Sequence, residues 1–186
     1  MQGFEFKRLR VPGVVEILPR VFADARGTFV KTFRSDFPAE YGIATVYAEE
    51  YYSVSKRGVL RGMHFQLPPH DHDKLVYCTA GEVLDAVLDL RVGSPTYGEA
   101  ATVTLTGERA NMLFIPRGCA HGFYTLSESA TMMYKVTSVY APQHDAGIRF
   151  DSAAIEWPAG EPIMSDRDKG FPALRDFASP FRYEGA

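Results

Sequence analysis

The stretch Gly58-Val59-Leu60-Arg61-Gly62-Met63-His64-Phe65-Gln66 runs through Leu67-Pro68-Pro69-His70-Asp71-His72-Asp73 to Lys74. It puts a guanidinium, an imidazole and an ammonium on what read as two consecutive apolar strands. Burying such groups without partners is strongly unfavourable, so several of them on adjoining strands point to a site. His64 is the candidate base, Gly62 lets a ligand or another backbone approach closely, and Arg61 is a natural anion clamp. Strict alternation sends Arg61 and His64 to opposite faces, so either Gly62 sits at a bulge or only one of the two points into a pocket. Lys74 could meet a developing oxyanion, Tyr134 could deliver a proton, and Asp168, in Ser165-Asp166-Arg167-Asp168, could orient an imidazole. Together these four make a proton-transfer set. Taken singly, each has a plainer reading: a satisfied core histidine, a solvated edge lysine, a packed aromatic, a turn carboxylate.

Metal binding competes for the same residues, since His64, His70, His72 and His121 all carry imidazoles. His70 and His72 stand two apart in a Pro-Pro-Asp loop and would suit a metal if both lay on one strand face. No glutamate completes that set, and the Lys74 ammonium would repel a divalent cation. The chain has no nucleophile elbow, P-loop or GxGxxG, and no serine in a context that suggests Ser-His-Asp hydrolysis.

The elements that must hold these groups read as strands. Thirteen Phe, ten Tyr and one Trp are scattered through short segments between Gly, Pro and Asp turns. Strand patterns cover Val14–Pro19, Thr28–Phe33, Thr45–Ser55, Val59–Gln66, Lys74–Thr79, Val83–Arg91, Ala101–Thr106, Met112–Pro116, Ala120–Leu126 and Thr131–Thr137. Alternation puts Met132, Tyr134 and Val136 on one side of the last of these, and Asp85, Asp89 and Arg91 on one face of another. One helical turn closed by glycine is expected over Ser35–Gly42, and a partly helical tail near Ala173–Phe177. About ten short strands without a long amphipathic helix predict an all-β sandwich, jelly roll or barrel in a single domain.

At 186 residues, 46% hydrophobic and net charge −3, the chain can bury a proper core and lacks the basic balance of a nucleic-acid binder. No apolar run approaches a membrane span, and Met1-Gln2-Gly3-Phe4-Glu5-Phe6-Lys7-Arg8 lacks a secretory core, so a cytoplasmic protein is expected. Cys78 and Cys119 have no CxxC spacing and are expected to be small buried thiols.

Several blocks in order complete the pattern: Phe22-Ala23-Asp24-Ala25-Arg26-Gly27, Arg61-Gly62-Met63-His64-Phe65-Gln66, Lys74-Leu75-Val76, Asp89-Leu90-Arg91 with Ser94-Pro95-Thr96, Ile115 to Phe123, Tyr134-Lys135, Trp157-Pro158 and Ser165 to Asp168. From about residue 14 to residue 170 this resembles the dTDP-4-dehydrorhamnose 3,5-epimerase family. The resemblance implies a cupin-type jelly roll with its core at about residues 45–140, N-terminal strands within 1–35 exchanged in a homodimer, and C-terminal loops and helix over 141–186. It implies a nucleotide-diphosphate sugar substrate and no metal or organic cofactor. On that likeness His64 abstracts a proton alpha to a C4 ketone with Asp168 as its partner, Lys74 stabilises the enolate, and Tyr134 reprotonates from the opposite face. Arg26, Lys31, Glu49, Tyr51, Arg61, Gln66, His121, Asp145 and Arg167 match positions expected to contact substrate. Lys31 stands where relatives carry glutamate, and Glu49-Glu50-Tyr51 where they carry Gln-Asp-Asn. Two other readings stay open: a sugar 3,4-ketoisomerase, which uses the same enolisation, and a cupin that binds a metal or small ligand without this activity.

Overall fold

The computed structural model describes residues 3–185; Met1 and Gln2, at the head of the expected N-terminal region, and Ala186 lie outside the described residues. Thirteen strands among the described residues carry the fold: β1 (Phe4–Arg8), β2 (Val15–Pro19), β3 (Val21–Asp24), β4 (Gly27–Val30), β5 (Glu49–Lys56), β6 (Leu60–Gln66), β7 (Lys74–Ala80), β8 (Glu82–Asp89), β9 (Ala100–Thr106), β10 (Met112–Ile115), β11 (Cys119–Thr125), β12 (Ser129–Val136) and β13 (Asp145–Gly147). They pair antiparallel into a six-stranded sheet ordered β1-β2-β10-β7-β12-β5 and a five-stranded sheet ordered β13-β6-β11-β8-β9, with β3-β4 apart as a hairpin. The two large sheets face one another as a cupin-type jelly roll, the expected all-β class.

Strand composition explains the layering. Inward residues of both sheets, among them Val76, Val83, Val87, Leu105, Phe123 and Met132, make one shared core. Strand β7 is buried on both faces, because Leu75 and Tyr77 turn outward into a second cluster with Ile17, Phe37 and Phe114. Fully covered strands read as continuous apolar runs, and Leu75-Val76-Tyr77-Cys78 is one. On the other sheet, Met63, Phe65 and Leu88 turn outward under the C-terminal segment, where Ile148, Trp157, Phe177 and Phe181 cap them. The chain ends therefore serve as outer layers that let both sheets bury two faces.

The expected helical turn after Ser35 is a 3-10 turn at Ala39–Tyr41 closed by Gly42 at φ 64°, and the tail turn is a second at Leu174–Asp176. Three strands were not legible: β1, β13 and β3, which is four residues long and pairs with β4. β1 alternates Phe4 and Phe6 with charged residues, but its partner is β2 across a turn; β13 is only three residues long and exists through pairing with β6. Within one chain β1 and β2 join the main sheet through β10, so only the β3-β4 hairpin stands free, with Phe22 and Phe29 exposed. Cys78 and Cys119 are free and buried. No helix among the described residues is long and apolar enough to cross a membrane.

Candidate active site

A cavity of about 410 Å³ opens between the sheets. The five-stranded sheet contributes Arg61 and His64 from β6 and His121 from β11. The six-stranded sheet contributes Lys74 from β7, Tyr134 from β12 and Glu49, Tyr51 and Ser53 from β5. Imidazole and phenol thus stand on facing walls of one hollow.

The alternation conflict at Arg61 and His64 is resolved by a bulge. Against β11, His64 pairs with His121 and Arg61 with Phe123, so three steps along β6 match two along β11. The extra residue returns both side chains to the cavity face, while Met63 and Phe65 keep the outer core face. Gly62 sits in it at φ +138°, and an added Cβ would lie 2.5 Å from the Gly122 Cα. Backbone strain and overpacking of that kind lead us to expect Gly62→Ala to lose about 2–5 kcal/mol of stability, read as a lower denaturant midpoint at unchanged m.

Asp168 reaches His64 from a different part of the chain. Ile163 bridges to Val59 at the head of β6, and a four-residue helix, α1 (Asp166–Lys169), follows. The Ser165 hydroxyl caps α1 by accepting the Asp168 N–H at 3.1 Å, which aims the Asp168 carboxylate at the bulge. One oxygen lies 2.9 Å from His64 Nε2 and the other accepts the Gly62 N–H at 3.2 Å. Burial raises the Asp168 carboxyl, but the hydrogen bond and charge of His64, with the Gly62 N–H, outweigh it and hold it at about 2. Burial is also the largest influence on His64 and draws its pKa below the ordinary value, against the pull of Asp168. The result is a neutral imidazole whose Nε2 is engaged by an ionised carboxylate, leaving Nδ1 as the unengaged nitrogen. An Arg167 Nη2 also lies 2.9 Å from Nε2, and the same guanidinium pairs with Asp145. Phe171 packs edge-on against the imidazole at 5.7 Å.

Across the cavity, Lys74 is 7% exposed and donates to the His64 carbonyl at 3.2 Å. Burial lowers its pKa to about 8, with Asp145 and Asp85 pulling the other way. His121 Nε2 lies 2.8 Å from Asp85, a fully buried carboxylate that burial pushes up against the opposing charges of His121 and Lys74. Burial likewise raises the Tyr134 phenol, whose oxygen is 3.3 Å from Ser53 Oγ. At neutral pH this leaves a free imidazole, a charged ammonium and a protonated phenol around one space. An activity that needs a neutral His64 and a charged Lys74 should show a bell-shaped pH profile. The acid limb should fall below pH 6.5, where His64 takes its proton, and the alkaline limb near pH 8, where Lys74 loses its own. Measuring kcat/KM across pH 5 to 10 checks this, roughly two decades either side of the optimum being needed.

Not every expected residue joins the cavity. Arg26, paired with Asp24, and Lys31 are exposed on or beside the free hairpin and do not line it within one chain, because β3 and β4 extend away from both sheets. Gln66 lines it, but its amide is engaged: Nε2 donates to the His70 carbonyl at 2.8 Å and Oε1 accepts the Ala141 N–H at 2.6 Å. It pins two loops to β6. Glu49, Tyr51, Arg61, His121, Asp145 and Arg167 all line the cavity. The histidines weighed as metal ligands do not converge. His72 Nδ1 meets Ser138 Oγ at 3.0 Å, His70 packs at a tilt against His144, and no cluster of three or more metal-ligating side chains is found among the described residues. Ser53, Tyr140 and the Asp85 partner of His121 were missed by the sequence. Ser53 could have been found, since it follows Glu49 and Tyr51 at the strand period; Asp85 could not, because its partner lies 36 residues away.

The comparisons with known proteins agree. Residues 8–176 match the family model described as dTDP-4-dehydrorhamnose 3,5-epimerase. The dTDP-4-dehydrorhamnose 3,5-epimerase of Shigella flexneri is 40% identical over 164 residues, 87% of this chain and 91% of that one. The crystal structure of the Legionella pneumophila dTDP-6-deoxy-D-glucose-3,5-epimerase, in complex with dTDP-4-keto-L-rhamnose, superposes with a TM-score of 0.92 at 34% identity, over 98% of this chain and 100% of that one. A 3'-monoepimerase of Streptomyces bikiniensis, in complex with dTDP-quinovose, gives 0.84 at 34% identity, over 90% and 86%. Fold, cavity and sequence therefore agree that this chain belongs to the dTDP-4-dehydrorhamnose 3,5-epimerase family of isomerases.

Proposed function

We propose that the protein epimerises a dTDP-linked 4-keto-6-deoxy sugar at C3, C5 or both, by enolisation between His64 and Tyr134. The observation that carries this is the pairing of an imidazole–carboxylate dyad and a protonated phenol on facing walls of one cavity, with a buried ammonium beside them. His64 Nδ1 takes the proton from the carbon beside the ketone, and the C–H electron pair becomes the enolate double bond. The oxyanion is met by Lys74. Tyr134 then delivers its proton to the other ring face, and solvent reprotonates the phenolate and relieves the imidazolium. A base and an acid on opposite faces are the minimum for inverting a carbon without redox chemistry. Arg61, Arg167 and His121 are available for the diphosphate and sugar.

The molecule acts as a homodimer on this reading. The β3-β4 hairpin, with its exposed Phe22 and Phe29, would pack on the second copy and carry Arg26 and Lys31 to that copy's cavity. The test is a panel of dTDP-, UDP-, CDP- and GDP-linked 4-keto-6-deoxy sugars followed by NMR in deuterated water. Deuterium uptake beside the ketone with inverted stereochemistry is expected, strongest for dTDP. A product with a displaced carbonyl would mark a 3,4-ketoisomerase instead, and no uptake from any sugar would remove the proposal.

A further inference from the structure

We propose that Tyr51 is a positioning residue for the acid: it holds the Tyr134 ring at the tilt from which its phenol reaches the substrate carbon, and acts through that ring instead of through a contact of its own with the sugar. This rests on the reading of Tyr134 as the proton donor. Tyr51 and Tyr134 are direct partners across the β5–β12 ladder, so their side chains leave the same face at the same height. Their rings stack with centroids 4.8 Å apart and planes 16° from parallel. From the facing sheet, His121 meets the Tyr134 ring edge-on, at 6.1 Å and 70°.

That arrangement matters because the torsion about the Cβ–ring bond of a tyrosine is soft, with broad wells. The strand fixes where the ring begins, and its neighbours fix where the hydroxyl ends. The Ser53 hydrogen bond, at 3.3 Å, is too long to hold the phenol by itself. A parallel ring from the neighbouring strand and a perpendicular one from the facing sheet leave a narrow range of tilt. Tyr51 can serve as the wall because β5 is held on both of its faces just ahead of Tyr51. Glu49 accepts the Tyr140 N–H at 2.7 Å on the cavity side, and Glu50 pairs with Lys135 on the outer side. As β5 is the edge strand among the described residues, no further strand of these backs the Tyr51 ring, which is 41% exposed. Removing it would open space for Tyr134 to swing into.

Epimerisation in deuterated water separates the two half-reactions: the base alone governs exchange, while base and acid together govern inversion. Tyr51→Ala is expected to lower the ratio of inversion to exchange about 10- to 100-fold, the scale of effect for a reacting group displaced by about an ångström. Tyr51→Phe, which keeps the stacked ring and loses only the hydroxyl, should restore the ratio. General loosening of the fold would lower both half-reactions together and leave the ratio alone, so the ratio is the readout; Tyr51→Leu serves if the alanine variant does not fold. An unchanged ratio in Tyr51→Ala or Tyr51→Leu overturns the inference. So does a Phe variant as impaired as the alanine one, since Tyr51 would then act through its hydroxyl. Wild-type protein that exchanges no hydrogen on any 4-keto sugar would overturn the reading of the site, and this inference with it.

Discussion

Replacing His64 by alanine is expected to lower exchange of the substrate hydrogen for solvent deuterium by about 10²- to 10⁴-fold, the contribution of a positioned general base. The imidazole is held by a carboxylate that Ser165 and Gly62 lock in place, and neither Asp168 nor Arg167 can replace it. Asp168 is held at about 2 and is too weak a base; Arg167 carries no lone pair to offer. Tyr134→Phe gives the informative contrast. The imidazole still removes and returns a proton on its own face, so exchange should continue while inversion stops. NMR of a dTDP-4-keto-6-deoxy sugar in deuterated water reads both at once. Equal loss of exchange in the two variants, or none in either, would refute the division of labour between base and acid.

Lys74→Met should cost about 10²- to 10³-fold in kcat, as for loss of one aimed oxyanion donor. The stability of the same variant should not fall in proportion. Lys74 is 7% exposed, and its depressed pKa reflects the cost of burying an ammonium. Exchanging it for an apolar chain of similar length relieves that cost, although Asp85 loses one of the two groups that offset its burial. A thermal midpoint that holds while turnover collapses would identify Lys74 as a transition-state group. A collapse of both together would make it a structural counter-charge for Asp85.

The two expectations rest on different kinds of information. That His64 and Lys74 belong to one site was legible from strand composition, because charges amid Leu60, Met63, Leu75 and Val76 require partners. The inward face of Met132, Tyr134 and Val136 was legible for the same reason: a strand's side-chain period is two, and one face was apolar. Arg61 was the exception. Local alternation placed it opposite His64, and only the offset between β6 and β11 put both on one side.

Sequence alone determined the all-β class, most strand positions and several of the charged and aromatic residues that line the cavity, since these follow from short-range periodicity and the cost of burying charge. Tertiary structure decided which partners those residues have. Asp168 is joined to His64 across 104 positions and Asp85 to His121 across 36; Tyr51 is laid on Tyr134, and Arg26 and Lys31 are carried away from the cavity of their own chain. Each of these depends on strand register and sheet order, and contacts between segments distant in the chain leave no periodic trace in either one.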